Sequence, residues 1–326
     1  MTRIIFVLIW FVFISCGYFE SIDEKPTQEG DKWQHLYWLI DQWIEKSEEI
    51  RDLETGWLCV KDCDGIIWAG KYASSPLVKE KVNIRAAEYP SQPGKYTRRP
   101  LSSGLCWSEQ LGDQGSQTNW SRDMATAGLL PYAFFTGQRE ILEQHAAYGE
   151  KNHFILDGLP LWQMGEPLND GRTVYTPGLV GLVYQLIYAM GGEDNSNRRI
   201  PNIFISGLDD YQAHLAVMHI LLLGEASIQV GDADSIPAQQ DEKLNLLSIS
   251  GVMFKRLKEH AERESNCPLY LATYHRYHDG IYDSAIDALD NEYLDCEYIR
   301  CGDDQQCHLA EKIFVATLLT RWHNED

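Results

Sequence analysis

Carboxylates flanked by aromatic rings are the first residues in this sequence with chemistry in reach. In the stretch Trp162-Gln163-Met164-Gly165-Glu166-Pro167-Leu168-Asn169-Asp170-Gly171, Glu166 and Asp170 stand close together, with Trp162, Met164 and Tyr175 around them. Two carboxyls whose surroundings hold one protonated and the other ionised make a general acid and a general base. Exposed aromatic faces beside them are what stacks on sugar rings. Glu109, Asp113, Asp209, Asp210, Asp279 and Asp283 are further loop acids of the same kind. A second set is Tyr274-His275-Arg276-Tyr277-His278-Asp279, whose Tyr and His types can remove a proton beside a neutralised carboxylate, as β-elimination requires. His275 and His278 would share a helix face, but a metal-binding pair needs a third ligand and supporting hydrogen bonds, so no metal site is assigned. A third set is a local excess of base, with Lys71, Lys79, Lys81, Arg85, Lys95, Arg98 and Arg99 against Glu80 and Glu88. Arg98 and Arg99 carry forks that match carboxylate or sulfate. The plainer reading is that these bases neutralise acids of the same protein.

These residues need elements to position them. Trp33, Leu36, Tyr37, Ile40, Trp43 and Ile44 recur at helical spacing and predict an opening amphipathic helix. The Gly-, Pro- and Tyr-rich span 55–119 has no sustained helical period and reads as long loops with short strands or helical turns. From Ser121 onward helices dominate. Ser121 is a good N-cap for 122–135, Asp123 sits in the first turn, and Gly137 can close the end. Helices follow over 139–151, 177–190 (opened by Pro177), 209–223, within 238–264, over 281–289 and over 307–322. No strand and helix alternation appears, so the fold class predicted is all-α, built of helical hairpins joined by long loops, as one domain over 32–326.

Composition bounds the partners. The 326 residues carry 28 Lys and Arg against 48 Asp and Glu, a net charge of −20 at pH 7, and such a surface repels nucleic acid. Only Arg3 is charged ahead of the apolar run from Ile4 to Ile14, which is too short to cross ~30 Å of hydrocarbon with ease and reads as a signal peptide over 1–15. In an oxidising compartment three local disulfides are expected among the seven cysteines Cys59, Cys63, Cys106, Cys267, Cys296, Cys301 and Cys307, which cannot all pair within the chain. The close pair Cys59 and Cys63 and two of Cys296, Cys301 and Cys307 are the leading members, with connectivity left open. No cofactor is expected. The acidic run 279–304 holds nine acids against Arg300 and lacks EF-hand spacing; a loose Ca²⁺ site is the alternative to a solvated acidic loop there.

Two resemblances add to this. Phe13-Ile14-Ser15-Cys16 resembles the lipobox of bacterial lipoproteins, which implies acylation of Cys16, a flexible tether over 16–31, and anchoring in the cell envelope. Gly17 after the cysteine resembles outer-membrane sorting. Thr118-Asn119-Trp120-Ser121-Arg122-Asp123-Met124 resembles the Trp-x-Arg-Asp signature of the (α/α) toroid glycoside hydrolases, the glucoamylase-like and trehalase-like enzymes. That resemblance implies a partial or complete toroid, with Trp120 packed beside a sugar and Arg122 and Asp123 bonded to its hydroxyls. Acid and base would come from other loops, and Glu166 and Asp170 are the candidates, with Trp162 and Tyr175 as stacking rings. If Arg98 and Arg99 also face the ligand, the glycan is acidic. The leading expectation is an envelope glycoside hydrolase. A lyase on an acidic polysaccharide and a non-catalytic surface binding or scaffold lipoprotein are the alternatives.

Overall fold

A computed structural model describes residues 32–58, 65–98, 100, 120–154, 175, 177–195, 210–231, 249–296, 298–299 and 305–325. The chain divides into two compact units, Met1–Leu39 and Ile40–Asp326. The protein is all-α: among the described residues there is no strand, only the isolated bridges Arg51 to Leu58 and Glu88 to Tyr96. The second of these bridges lies within the span where short strands were expected, and the first reaches into it at Leu58.

Helix α1, Lys32–Ile50, follows the predicted apolar spacing and is the one element that runs through the boundary between the units. In the larger unit its Ser47 Oγ donates to the Ile44 carbonyl at 2.7 Å and accepts from the Tyr72 hydroxyl at 2.8 Å. Helix α2, Gly65–Ala73, lies inside the span read as loop. All nine of its residues are buried, so it has no polar face and therefore no amphipathic period. The helical stretch 122–135 has three parts: α3, Arg122–Met124; a π-helical turn, Ala125–Leu129; and α4, Leu130–Phe135. Pro131 explains the widening, since it donates no N–H and its ring crowds the carbonyl one turn earlier. Helix α2 crosses the π turn with the backbones in contact. A Cβ on Gly70 would lie 2.2 Å from the Gly128 carbonyl oxygen, so neither position has space for a side chain.

The remaining helices are α5, Arg139–Lys151; α6, Pro177–Ala189; α7, Asp210–Val230; α8, Ile249–Arg263; α9, Pro268–His278; α10, Asp283–Leu289; and α11, Gln305–Glu325. From α4 to α11 each packs on the next, α11 returns to α2, and α2 packs on the π turn. Helix α7 touches α6, α8, α9 and the π turn, which places it in the core. Its stretch Ala213–Val230 is long and apolar enough to cross a membrane, yet most of it is buried inside the protein. The sulfurs of Cys267 and Cys296 are bonded, with the Cα atoms 4.9 Å apart.

The junction of α2 and α11 holds a fully buried ion pair. Lys71 Nζ donates to Glu311, whose other carboxylate oxygen accepts from the Tyr298 hydroxyl at 2.5 Å. The ammonium also sits 4.9 Å from the centre of the Tyr298 ring, 5.5 Å from Trp68 and 5.8 Å from Phe314. Burial pulls the Lys71 pKa down and the Glu311 charge pulls it back. Two ions out of water cost several kcal/mol apiece unless hydrogen bonds and ring faces replace the lost hydration, and here both do.

Candidate functional site

Of the residues singled out from the sequence, the structure joins Trp120 and Tyr175 directly. The indole Nε1–H of Trp120 donates to the Tyr175 hydroxyl oxygen at 3.0 Å. That hydroxyl lies 2.7 Å from His145 Nε2, and His145 Nδ1 lies 2.7 Å from the Gly94 carbonyl. A carbonyl can only accept, so Nδ1 carries the proton and Nε2 accepts from Tyr175. The result is one directed chain, Trp120 to Tyr175 to His145 to Gly94, with each donor used once. Burial pushes the His145 pKa down to about 4, against the upward pull of the Gly94 carbonyl, so the ring is neutral. Burial likewise pushes the Tyr175 hydroxyl far up, and it stays a donor.

Helix α5 supplies His145 from its buried face, which also carries Ile141, Leu142, Ala146 and Gly149. Tyr96 closes the cluster, its ring 6.1 Å from Trp120 and 6.0 Å from His145. The Tyr96 hydroxyl is buried and has no hydrogen-bond partner among the described residues. Its pKa is raised, first by burial and then by the charge of Glu88.

Beside this network the chain enters α3. Ser121 Oγ accepts from the Met124 N–H at 3.5 Å, the expected cap, and its hydroxyl donates to the Asp123 carboxylate. Asp123 is buried and Arg122 is exposed. The Trp120 and Tyr175 rings are 3% and 5% exposed, so both are packed and neither presents an open face. The corner offers the Arg122 guanidinium to solvent on a backbone whose flanking residues are fixed.

Glu166, Asp170, Trp162, Arg99 and Cys16 lie outside the described residues. Arg98 is half-buried, and its carbonyl accepts from Ile66 N–H at 2.9 Å. The basic span around it is in part paired with acids of the same protein, as the plainer of the two readings has it. Lys71 is inside the core on Glu311, Lys81 pairs with Glu48, Arg85 lies 2.7 Å from Glu88, and Lys95 sits 4.5 Å over the Tyr89 ring. Opposite charges closer along the fold than along the sequence account for this, since Glu48 and Glu311 come from α1 and α11. Among the described residues no group of three or more His, Cys, Asp and Glu side chains is arranged to hold a metal ion.

No protein-family model, curated protein or solved structure matches the chain. The site is therefore argued from its own chemistry. Sequence reasoning missed His145 and Tyr96 as members of the cluster. Their one signal was type, a histidine on the apolar face of α5 and a tyrosine in a Gly-rich loop, and neither spacing points to Trp120 or Tyr175.

Proposed function

We propose that the chain is an envelope-anchored glycan-active protein, most concretely a glycoside hydrolase, held to the membrane through an acylated Cys16 and facing an aqueous extracytoplasmic space. The observation that carries the reading is the corner at Trp120 to Asp123. An exposed arginine stands there between residues locked by a cap and by the Trp120, Tyr175 and His145 chain. A planar, permanently charged donor fork on a fixed backbone suits sugar hydroxyls or an acidic sugar's carboxylate. Glu166 and Asp170 are the proposed acid and base, and the toroid is the proposed completion of the helical circuit.

Binding and turnover across neutral and acidic glycans, with the mature chain and with Arg122→Ala, test the proposal. Because Arg122 is exposed, the variant should fold as the parent does and lose at least tenfold in affinity. A parent that neither binds nor cleaves any member of the panel would overturn the reading. An unsaturated product absorbing in the ultraviolet would move the mechanism from hydrolysis to elimination, and binding without turnover would leave a surface receptor.

A further inference from the structure

The turn between α9 and α10 carries a second arrangement, independent of the glycan reading. His275 lies in the last turn of α9, Asp279 caps that helix, and Ser284 is the second residue of α10. Gly280 takes a left-handed φ of +70° and its N–H bonds to the His275 carbonyl at 2.8 Å, which reverses the chain tightly enough to bring the three side chains together. His275 Nδ1 is 2.8 Å from Asp279 Oδ1, and His275 Nε2 is 3.0 Å from Ser284 Oγ. Partial burial raises the Asp279 pKa, but the Ile281 N–H and the His275 and His278 rings outweigh it and bring the carboxyl down to about 2. An ionised carboxylate only accepts, so a neutral His275 donates from Nδ1, and its Nε2 lone pair faces the serine hydroxyl.

We propose that Ser284, His275 and Asp279 form a nucleophile, base and orienting carboxylate that cleave small carboxylic esters. The relation of the three groups is that of a serine hydrolase triad, which is recognised by geometry and role. Ser284 is exposed, and the His275 and Asp279 side chains are 17% and 29% exposed, so an ester can reach the hydroxyl. The base is held firmly. Next to it Arg276 is 3.1 Å from Glu225 on α7 and 2.7 Å from Glu325 on α11, and the Tyr277 hydroxyl donates to the Leu221 carbonyl at 3.1 Å. Ile281, 59% exposed in the same turn, is an apolar contact of a size suited to a short acyl group.

Ser284 Oγ attacks the ester carbonyl carbon while its proton passes to His275 Nε2. The bond from that carbon to the alkoxy oxygen then breaks, and the leaving alcohol takes the proton from His275. Water, giving a proton to the same nitrogen, attacks the acyl-serine, releases the carboxylic acid and returns the hydroxyl its hydrogen. Asp279 is a positioning residue that holds the ring and favours the imidazolium.

A fluorophosphonate probe and p-nitrophenyl acetate on the full chain test this. The probe should attach at Ser284, located by peptide mass spectrometry. Ser284→Ala and His275→Gln should each lower labelling and ester turnover at least tenfold with an unchanged circular dichroism spectrum. Asp279→Asn should slow labelling, and Asp279→Glu, which restores a carboxylate, should recover part of the loss. Labelling at another residue, or ester turnover unchanged in Ser284→Ala, would overturn the proposal. None of these readouts involves Arg122 or a glycan, so failure here and failure of the glycan reading are distinguishable.

Discussion

His145 and His275 have the same hydrogen-bonding frame in opposite surroundings. Each ring gives its Nδ1 proton to an oxygen and turns Nε2 to a hydroxyl: Gly94 carbonyl and Tyr175 for one, Asp279 carboxylate and Ser284 for the other. His145 is buried behind a neutral acceptor, where burial outweighs the pull of the Gly94 carbonyl and the Glu88 charge toward an imidazolium. His275 is half-buried and faces an ionised carboxylate instead. The same frame is thus a rigid strut in the interior and a proton acceptor at the surface. What separates the two is access to charge and water rather than the identity of the bonds.

The contrast is broken most severely from the interior. Lys71→Met leaves Glu311 charged in the core and should cost about 3–5 kcal/mol in urea unfolding, most of it recovered when Glu311→Leu is added. A single variant as stable as the parent would mean that the pair is hydrated. Next comes His145→Phe, which strands the Tyr175 hydroxyl and the Gly94 carbonyl and should cost roughly 2–5 kcal/mol. The matching change nearer the surface, His275→Gln, removes one of the hydrogen bonds that hold Asp279 and should cost only about 1 kcal/mol. Equal losses at the two histidines would erase the distinction.

Acid sharpens the same comparison. His145 and His219 are both pushed down to about 4 by burial. In the unfolded chain they bind protons from about pH 6.5 downward. Their contribution is therefore complete above about pH 6.5, falls as pH drops toward 4 and levels off below it, by on the order of 3 kcal/mol each. Asp279, held to about 2, has the contribution of a depressed carboxyl: present above its ordinary value of 3.8 and lost only as pH falls to about 2. Unfolding midpoints at pH 7, 5.5, 4 and 2.5 resolve the two windows, and a flat profile between pH 7 and 4 would contradict the neutral histidines. The smallest effect is a gain. Tyr96→Phe removes a buried hydroxyl without a partner among the described residues and should stabilise by about 1 kcal/mol, read as a higher midpoint at unchanged slope.

How far the sequence foretells this varies with burial. Helix α5 has one apolar and one polar face, and its predicted bounds of 139–151 agree with the structure. Helix α6 announces its start with Pro177, and α1 follows its apolar period. By contrast α2 is buried all round and so carries no period, and α7, also mostly buried, runs seven residues beyond the predicted end at 223 to Val230. The Ser121 cap was legible because capping is local. The link between Trp120 and Tyr175 was not, although both residues were expected at one site, because it spans 55 residues and passes on to a histidine on α5. Ser284 drew no notice for another reason. A serine nine residues after a histidine has no meaning until the left-handed Gly280 folds α10 back on α9.

The bond from Cys267 to Cys296 bears on a question of connectivity. Cys267 precedes α9 and Cys296 follows α10, 29 positions later, so His275, Asp279 and Ser284 all lie on one covalent ring. A peptidase cut at the exposed turn near Ile281 would open the backbone yet release no fragment. The nicked molecule would keep its parent mass plus one water, and it would separate into two chains only after reduction.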